Sequence, residues 1–238
     1  MSAGRLAALA GSLLDLAYPP GCVGCGGGVR DSDVKLCPDC LQSVPWLVDA
    51  GCTRCGSEFD SGGHCRLCTG LHKSLEHVRS SVLFTGCVPE LIHALKYARR
   101  KDIAPLLAEL AVAGNLPESL PARPDLIIPV PLHWRRRIRR GFNQSELLAA
   151  ELAQLTGFSL AGRTVVRVRS TSTQTRLSPE QRRRNVAGAF DCHGGSVGGK
   201  TVLVVDDVMT TGATLGEVAH SLVGAGARRV FAWSFARA

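Results

Sequence analysis

The chain has 238 residues, 45% of them hydrophobic and 20% charged, with a formal net charge of +8. That length allows one α/β domain plus a smaller module, and the balance of apolar and charged residues excludes a disordered or fibrous chain. No apolar run approaches the roughly 18 residues needed to cross a bilayer.

At the start, Leu6, Leu9, Ala10, Leu13, Leu14 and Ala17 follow helical spacing, and Asp15 interrupts any secretory apolar core. The expectation is an amphipathic helix over residues 1–18 that packs on the protein, with the chain in the cytoplasm. Residues 19–70 are rich in Gly, Cys and Pro and cannot bury much of a core. Eight of the ten cysteines there form four Cys-x-x-Cys pairs: Cys22/Cys25, Cys37/Cys40, Cys52/Cys55 and Cys65/Cys68. Gaps of 11, 11 and nine residues suit two zinc ribbons, and in such modules structural zinc contributes ~10–16 kcal/mol, enough to replace a core. Spacing alone leaves consecutive and cross-braced pairing both open. Cys87 and Cys192 stand apart and read as small buried hydrophobes.

From about Leu75 to Ala238 strands and helices alternate. Expected strands are Ser81–Phe84, Asp125–Val130, Val165–Val168, Thr201–Val205 and Val230–Phe235. Helices are expected over Pro89–Arg100, Ile103–Ala111, Ser145–Thr156 (closed by Gly157) and Ala213 to about Val223. This alternation predicts a mainly parallel, doubly covered sheet whose core is separate from that of the ribbons. The positive excess is local: His133–Arg184 holds 12 arginines and three acids, which implies an anionic ligand. Ser178–Gln181 is a capping box, so part of the polar segment 170–188 forms a short helix carrying Arg182, Arg183 and Arg184.

The stretch "VLVVDDVMTTGATL" (Val202–Leu215) combines a buried strand, two carboxylates and a turn into a helix. Ligands bind at the carboxyl ends of parallel strands. Asp206 and Asp207 are therefore expected at the strand end, accepting hydrogen bonds from vicinal sugar hydroxyls. Thr210, Thr211, Gly212, Ala213 and Thr214 are expected to bring backbone N–H groups and a helix terminus to a phosphate.

This stretch resembles the 5-phosphoribosyl-1-pyrophosphate (PRPP) signature of type I phosphoribosyltransferases. "HALKYARR" (His93–Arg100), "PVPLHWRRRIRRGFNQSELLA" (Pro129–Ala149), "TQTRLSPEQRRRNVAGAF" (Thr173–Phe190) and the four Cys-x-x-Cys pairs together resemble the ComF/GntX family. The resemblance implies a type I phosphoribosyltransferase fold behind a double zinc ribbon, with structural Zn²⁺, and Mg²⁺ accompanying PRPP. It implies a pyrophosphate turn at Pro131–Gly141, with Arg137, Arg140 and Gly141 the chosen residues. It also implies a lid carrying Arg176, Arg182, Arg183 and Arg184, and no nucleophilic side chain. A role in natural transformation follows, with single-stranded DNA and uptake machinery as partners, the latter through the ribbon. The alternative is phosphoribosyl transfer to a small-molecule acceptor with no DNA role. Loaded with two Zn²⁺, eight thiolates add about −4, which favours docking over DNA binding for the ribbon itself.

Overall fold

The computed structural model describes residues 21–29, 34–48, 51–114, 116–169, 178–193 and 195–238. The helix expected over 1–18, and Arg176, lie outside them. In chain order the elements are α1 (Pro38–Gln42), α2 (Arg66–Gly70), β1 (His77–Leu83), α3 (Val88–Lys96), α4 (Ile103–Ala113) and β2 (Leu126–Pro129). There follow α5 (Trp134–Arg140), α6 (Gln144–Thr156), β3 (Ser159–Leu160), β4 (Val165–Arg167) and α7 (Pro179–Val186). The chain closes with β5 (Phe190–Cys192), β6 (Thr201–Met209), α8 (Ala213–Gly224) and β7 (Arg229–Arg237).

Five strands form one parallel sheet in the order β1-β7-β6-β2-β3. The valines of β6 are buried on both sides: Leu203 and Val205 join one layer with α3, α4 and α6, while Val202 and Val204 join the other with α8. That double burial explains why β6 reads as an apolar run instead of an alternation. The expected strand Val165–Val168 is β4, but it pairs antiparallel with β5 in a separate two-stranded sheet. Local endings follow the sequence closely. Gly157 closes α6 at φ 69°, and Ser178 with Gln181 completes the capping box of α7.

Two expectations fail here. Pro131–Gly141 is not a turn throughout: seven of its residues form α5, started by the His133 side chain accepting from Arg135 N and ended by Gly141 at φ 85°. Nor are the cores separate. Cys22, Leu36, Cys40 and Val44 of the first ribbon pack in the layer of α3, α4 and α6. Cys52, Cys55, Cys65 and Leu71 of the second pack in the layer of α8. Contacts are close, since a Cβ on Gly24 would lie 2.7 Å from Cys87 Cβ. The ribbons also cover the sheet's edge: Leu47 N donates to Ser81 O, Leu83 N to Pro45 O and Val78 N to Arg54 O. Each ribbon is too small to hide its apolar face, so each borrows a layer of the larger domain.

Candidate metal centres and ligand crevice

The thiols of Cys22, Cys25, Cys37 and Cys40 form one group, and those of Cys52, Cys55, Cys65 and Cys68 another, all sulfurs within 4.8 Å in each. Pairing is therefore consecutive, not cross-braced. Sulfur separations of 3.8 Å (Cys25–Cys37), 3.5 Å (Cys52–Cys68) and 3.3 Å (Cys55–Cys65) are close to the ~3.8 Å edge of a tetrahedron with Zn–S of about 2.3 Å. Backbone N–H groups point at the sulfurs, as in Cys37 N to Cys22 Sγ at 3.2 Å.

At Cys22 burial is the largest influence and would raise the pKa. Hydrogen bonds from the backbone of Cys37, Cys25 and Gly24 outweigh it and bring the thiol down to about 6. Cys52 falls to about 7 in the same way, against burial, through Cys55 and Arg54 backbone groups. Cys40 and Cys68 are pushed far up, by burial and then by neighbouring thiols. Some sulfurs ionise readily and others resist because four negative charges repel, and a bound divalent cation resolves that conflict. The residues fit Zn²⁺. Of the lone cysteines, Cys87 is buried as expected, whereas Cys192 is only half-buried.

The second centre lies in the sheet. From β2 the chain moves to β3 on one side, and from β6 to β7 on the other, so strand order reverses between β2 and β6. Such a switch point opens a crevice at the carboxyl ends. β2 leaves the ladder at Pro129, opposite Val205, but β6 runs on beside β7 to Met209. Asp206 and Asp207 are thus inside a strand instead of beyond its end, because the nine-residue β7 keeps pairing with them.

Asp206 Oδ1 accepts from Ser145 Oγ at 2.8 Å and from Asp207 N at 3.0 Å. Asp207, only 3% exposed, accepts from Val208 N at 2.9 Å through Oδ1. Its Oδ2 has no hydrogen-bond partner and is compensated by Lys96 Nζ, 2.6 Å away. Desolvation, then the charge of Asp207, holds the Asp206 carboxyl well above the ordinary carboxylate range, and Ser145 and Lys96 offset this only in part. The pair is a desolvated acceptor set with oxygen lone pairs left over for donors such as hydroxyls.

The crevice is a cavity of about 240 Å³ lined by Lys96, Arg136, Arg140, Arg167, Thr214 and both aspartates, among others. Desolvation lowers the Arg167 guanidinium to about 10, and Arg136 adds to the effect. Thr210 and Thr211 border a second cavity, about 890 Å³, roofed by Phe59, Asp60 and Arg66 of the second ribbon. Between the two cavities Gly212, at φ 72°, leads into α8, which no side chain caps beyond a 3.4 Å contact of Ala213 N with Thr211 Oγ1. By contrast, Asn143 caps α6 and Ser178 caps α7. Thr214, in the first turn of α8, lines the crevice, so the positive end of the helix dipole stands at its wall.

The chosen arginines separate. Arg140 lines the cavity and bonds Gln144, while Arg137 is held by Glu146 at 2.7 Å and does not line it. Arg183 borders the ribbon-side cavity, and Arg184 pairs with Glu180 at 2.7 Å. Arg182 is among the residues of α7 and does not line the crevice either. Lys96, Ser145 and Arg167 are not among the residues the sequence singles out, and Arg136 enters only as one of the arginines of the Pro131–Gly141 stretch. Lys96 and Ser145 stand within the quoted motifs, but nothing local tells that they meet carboxylates 61 or more residues away.

Residues 13–69 match the double zinc ribbon domain family, and residues 139–237 the phosphoribosyl transferase domain family. The chain is 37% identical over 233 residues to DNA utilization protein YhgH of Salmonella typhi, spanning 93% of this chain and 99% of that protein. It is 32% identical over 226 residues to competence protein F of Haemophilus influenzae, spanning 91% and 96%. Similarity to competence protein ComFC of Bacillus subtilis is 25% over 200 residues, 82% of this chain and 80% of that one. With its ribbons, its sheet and these relatives in agreement, the chain belongs to the ComF family, a double zinc ribbon joined to a phosphoribosyl transferase domain.

Proposed function

We propose that the β2/β6 crevice binds PRPP with Mg²⁺ and that the protein serves DNA uptake or utilization by handling single-stranded DNA. One observation carries the ligand assignment: two desolvated carboxylates at the switch point stand beside a helix start that no side chain caps and beside Arg136, Arg140 and Arg167. Vicinal ribose hydroxyls donate to Asp206 and Asp207. The 5-phosphate takes the backbone N–H groups around Thr210–Thr214, and the pyrophosphate lies near Arg140 and Gly141. Mg²⁺ supplies charge neutralisation of the pyrophosphate. Lys96 holds Asp207 and Ser145 orients Asp206, so both act as positioning residues. The names of the relatives, DNA utilization protein and competence protein, support the DNA role.

A second reading, transfer to a small-molecule acceptor, is favoured by the cavity beside Thr210 and Thr211, which has room for one. Pyrophosphate would leave the anomeric carbon, with arginines and the metal stabilising the departing charge.

The test is calorimetric titration of PRPP and Mg²⁺ into the wild type, Asp206→Ala and Asp207→Asn. Each change should weaken binding by ~1.5–3 kcal/mol, the worth of hydrogen bonds to a charged acceptor. Unchanged affinity in both variants refutes the crevice as the PRPP site.

A further inference from the structure

The crevice uses only one side of α5. Arg136 and Arg140 line the cavity with the aspartates, and Arg137 is held by Glu146. The opposite side carries Trp134, Arg135, Ile138 and Arg139, all exposed. Trp134 at 57% and Ile138 at 72% are large apolar side chains left in solvent on the most basic stretch of the chain. Tyr97, 61% exposed at the end of α3, lies against Arg140 at the last residue of α5.

The two segments are joined. Arg99, at φ 57° in the left-handed region that arginine rarely adopts, turns the chain after α3, and its Nη2 donates to Arg139 O at 3.5 Å. Guanidinium groups already lie against both rings, Arg135 at 5.1 Å from the Trp134 centroid and Arg140 at 5.5 Å from that of Tyr97. Neither Tyr97–Lys101 nor Trp134–Arg140 contains a carboxylate. The nearest acids in sequence, Asp102 and Glu146, are committed to Arg100 with Lys35 and to Arg137.

We infer that this outer face of α5, with Tyr97 and Arg99, is a platform for single-stranded nucleic acid, on which bases stack on Trp134 and Tyr97 while Arg99, Arg135 and Arg139 meet the backbone phosphates. Exposed aromatic rings interleaved with arginines are what sequence-tolerant single-strand binding requires, because every base offers a face to stack and every nucleotide a phosphate. A two-turn helix with two apolar side chains presents too little area to hold a membrane surface, and its charge suits a polyanion. Tyr97 lines the crevice, and Arg99, two residues on, reaches Arg139 on the outer face, so the platform begins at the rim of the proposed PRPP site. The inference rests on the DNA-handling part of the proposed function and gives it a location.

The test uses the full, zinc-loaded chain. Binding of a labelled oligothymidine of about 20 nucleotides is followed by anisotropy, and ring contact by quenching of tryptophan fluorescence. Trp134→Ala should weaken binding about tenfold or more, the usual worth of one stacked base, and should abolish the quenching, while Trp134→Phe restores most affinity. Arg135→Ala with Arg139→Ala should flatten the log–log salt dependence by up to about 1.4, some 0.7 per phosphate contact. PRPP affinity of Trp134→Ala should equal that of the wild type, which shows that the fold and the crevice are intact. If the wild type binds the oligonucleotide and Trp134→Ala binds it equally well, or if a duplex of the same length binds as tightly, the platform is wrong although the DNA role stands. If the wild type binds no single strand, both fall.

Discussion

The ribbons and the sheet are held together by opposite means. In the ribbons the buried residues are chiefly cysteines: Cys22, Cys40, Cys52, Cys55 and Cys65, with Leu36, Val44 and Leu71. In the sheet they are Val202 to Val205 and Phe231 to Phe235, hidden between two layers of helices. One region relies on metal–thiolate bonds and the other on apolar area. Yet the same cysteines are members of the sheet's two layers, one ribbon to each. A difference in what stabilises two regions is thus no sign that they fold apart.

The largest expected effect breaks the metal side. Cys52→Ser should forfeit most of the ~10 kcal/mol or more that a structural zinc site contributes, comparable to the whole stability of a typical domain. Because Cys52 and Cys55 pack with Leu75, Val78 and Ile128, far-UV and near-UV circular dichroism should be lost together on heating. Two well-separated transitions, with the sheet surviving the ribbon, would restore the picture of independent cores.

Phe231→Ala attacks the other side. Phe231 is fully buried in β7, and its truncation should cost ~3–5 kcal/mol in denaturant unfolding. Two zinc ions per chain should still be counted in the native protein, since no thiol has moved. Loss of zinc from this variant under native conditions would mean that the sheet organises the ribbons more than thiolate chemistry does.

The smallest effects concern pH. Asp102 joins the first ribbon to α4 through Lys35, at 3.2 Å, and also pairs with Arg100. The Arg100 hydrogen bond, against some desolvation, holds its carboxyl down to about 2. A depressed carboxylate stabilises above its unfolded pKa, and this contribution fades as pH falls from about 4 towards 2. Asp206 has the opposite sign. Its folded pKa is raised, so the folded state keeps a proton that the unfolded chain releases, and stability declines as pH climbs above about 4. Asp206→Asn should therefore be more stable than the wild type near neutral pH, with the difference in Tm shrinking towards pH 4. An equal difference at both pH values would show that the carboxyl is not desolvated.

Much of this was legible in the sequence, where the signal is local. Four Cys-x-x-Cys pairs specify two metal sites, because the two thiols of each pair are three residues apart, on a turn at Cys22 and Cys52 and on the first turn of α1 and α2 at Cys37 and Cys65. Ser178 and Gln181 specify the start of α7, and Gly157 the end of α6, through contacts within a single helical turn. The valine run before Asp206 and Asp207 marks a strand buried on both faces. The length of β6 was not legible, since its last residues form strand only by pairing with β7. Nor was the fate of the arginines. Helical phase places Arg136 and Arg140 on one side of α5 and Arg135 and Arg139 on the other, but only α6, which brings Glu146 to Arg137, decides which side faces the crevice. Lys96 and Ser145 meet the aspartates for the same reason. Local bonds and turns are written in neighbouring residues, whereas the partners of a buried charge are chosen by the packing of elements far apart in the chain.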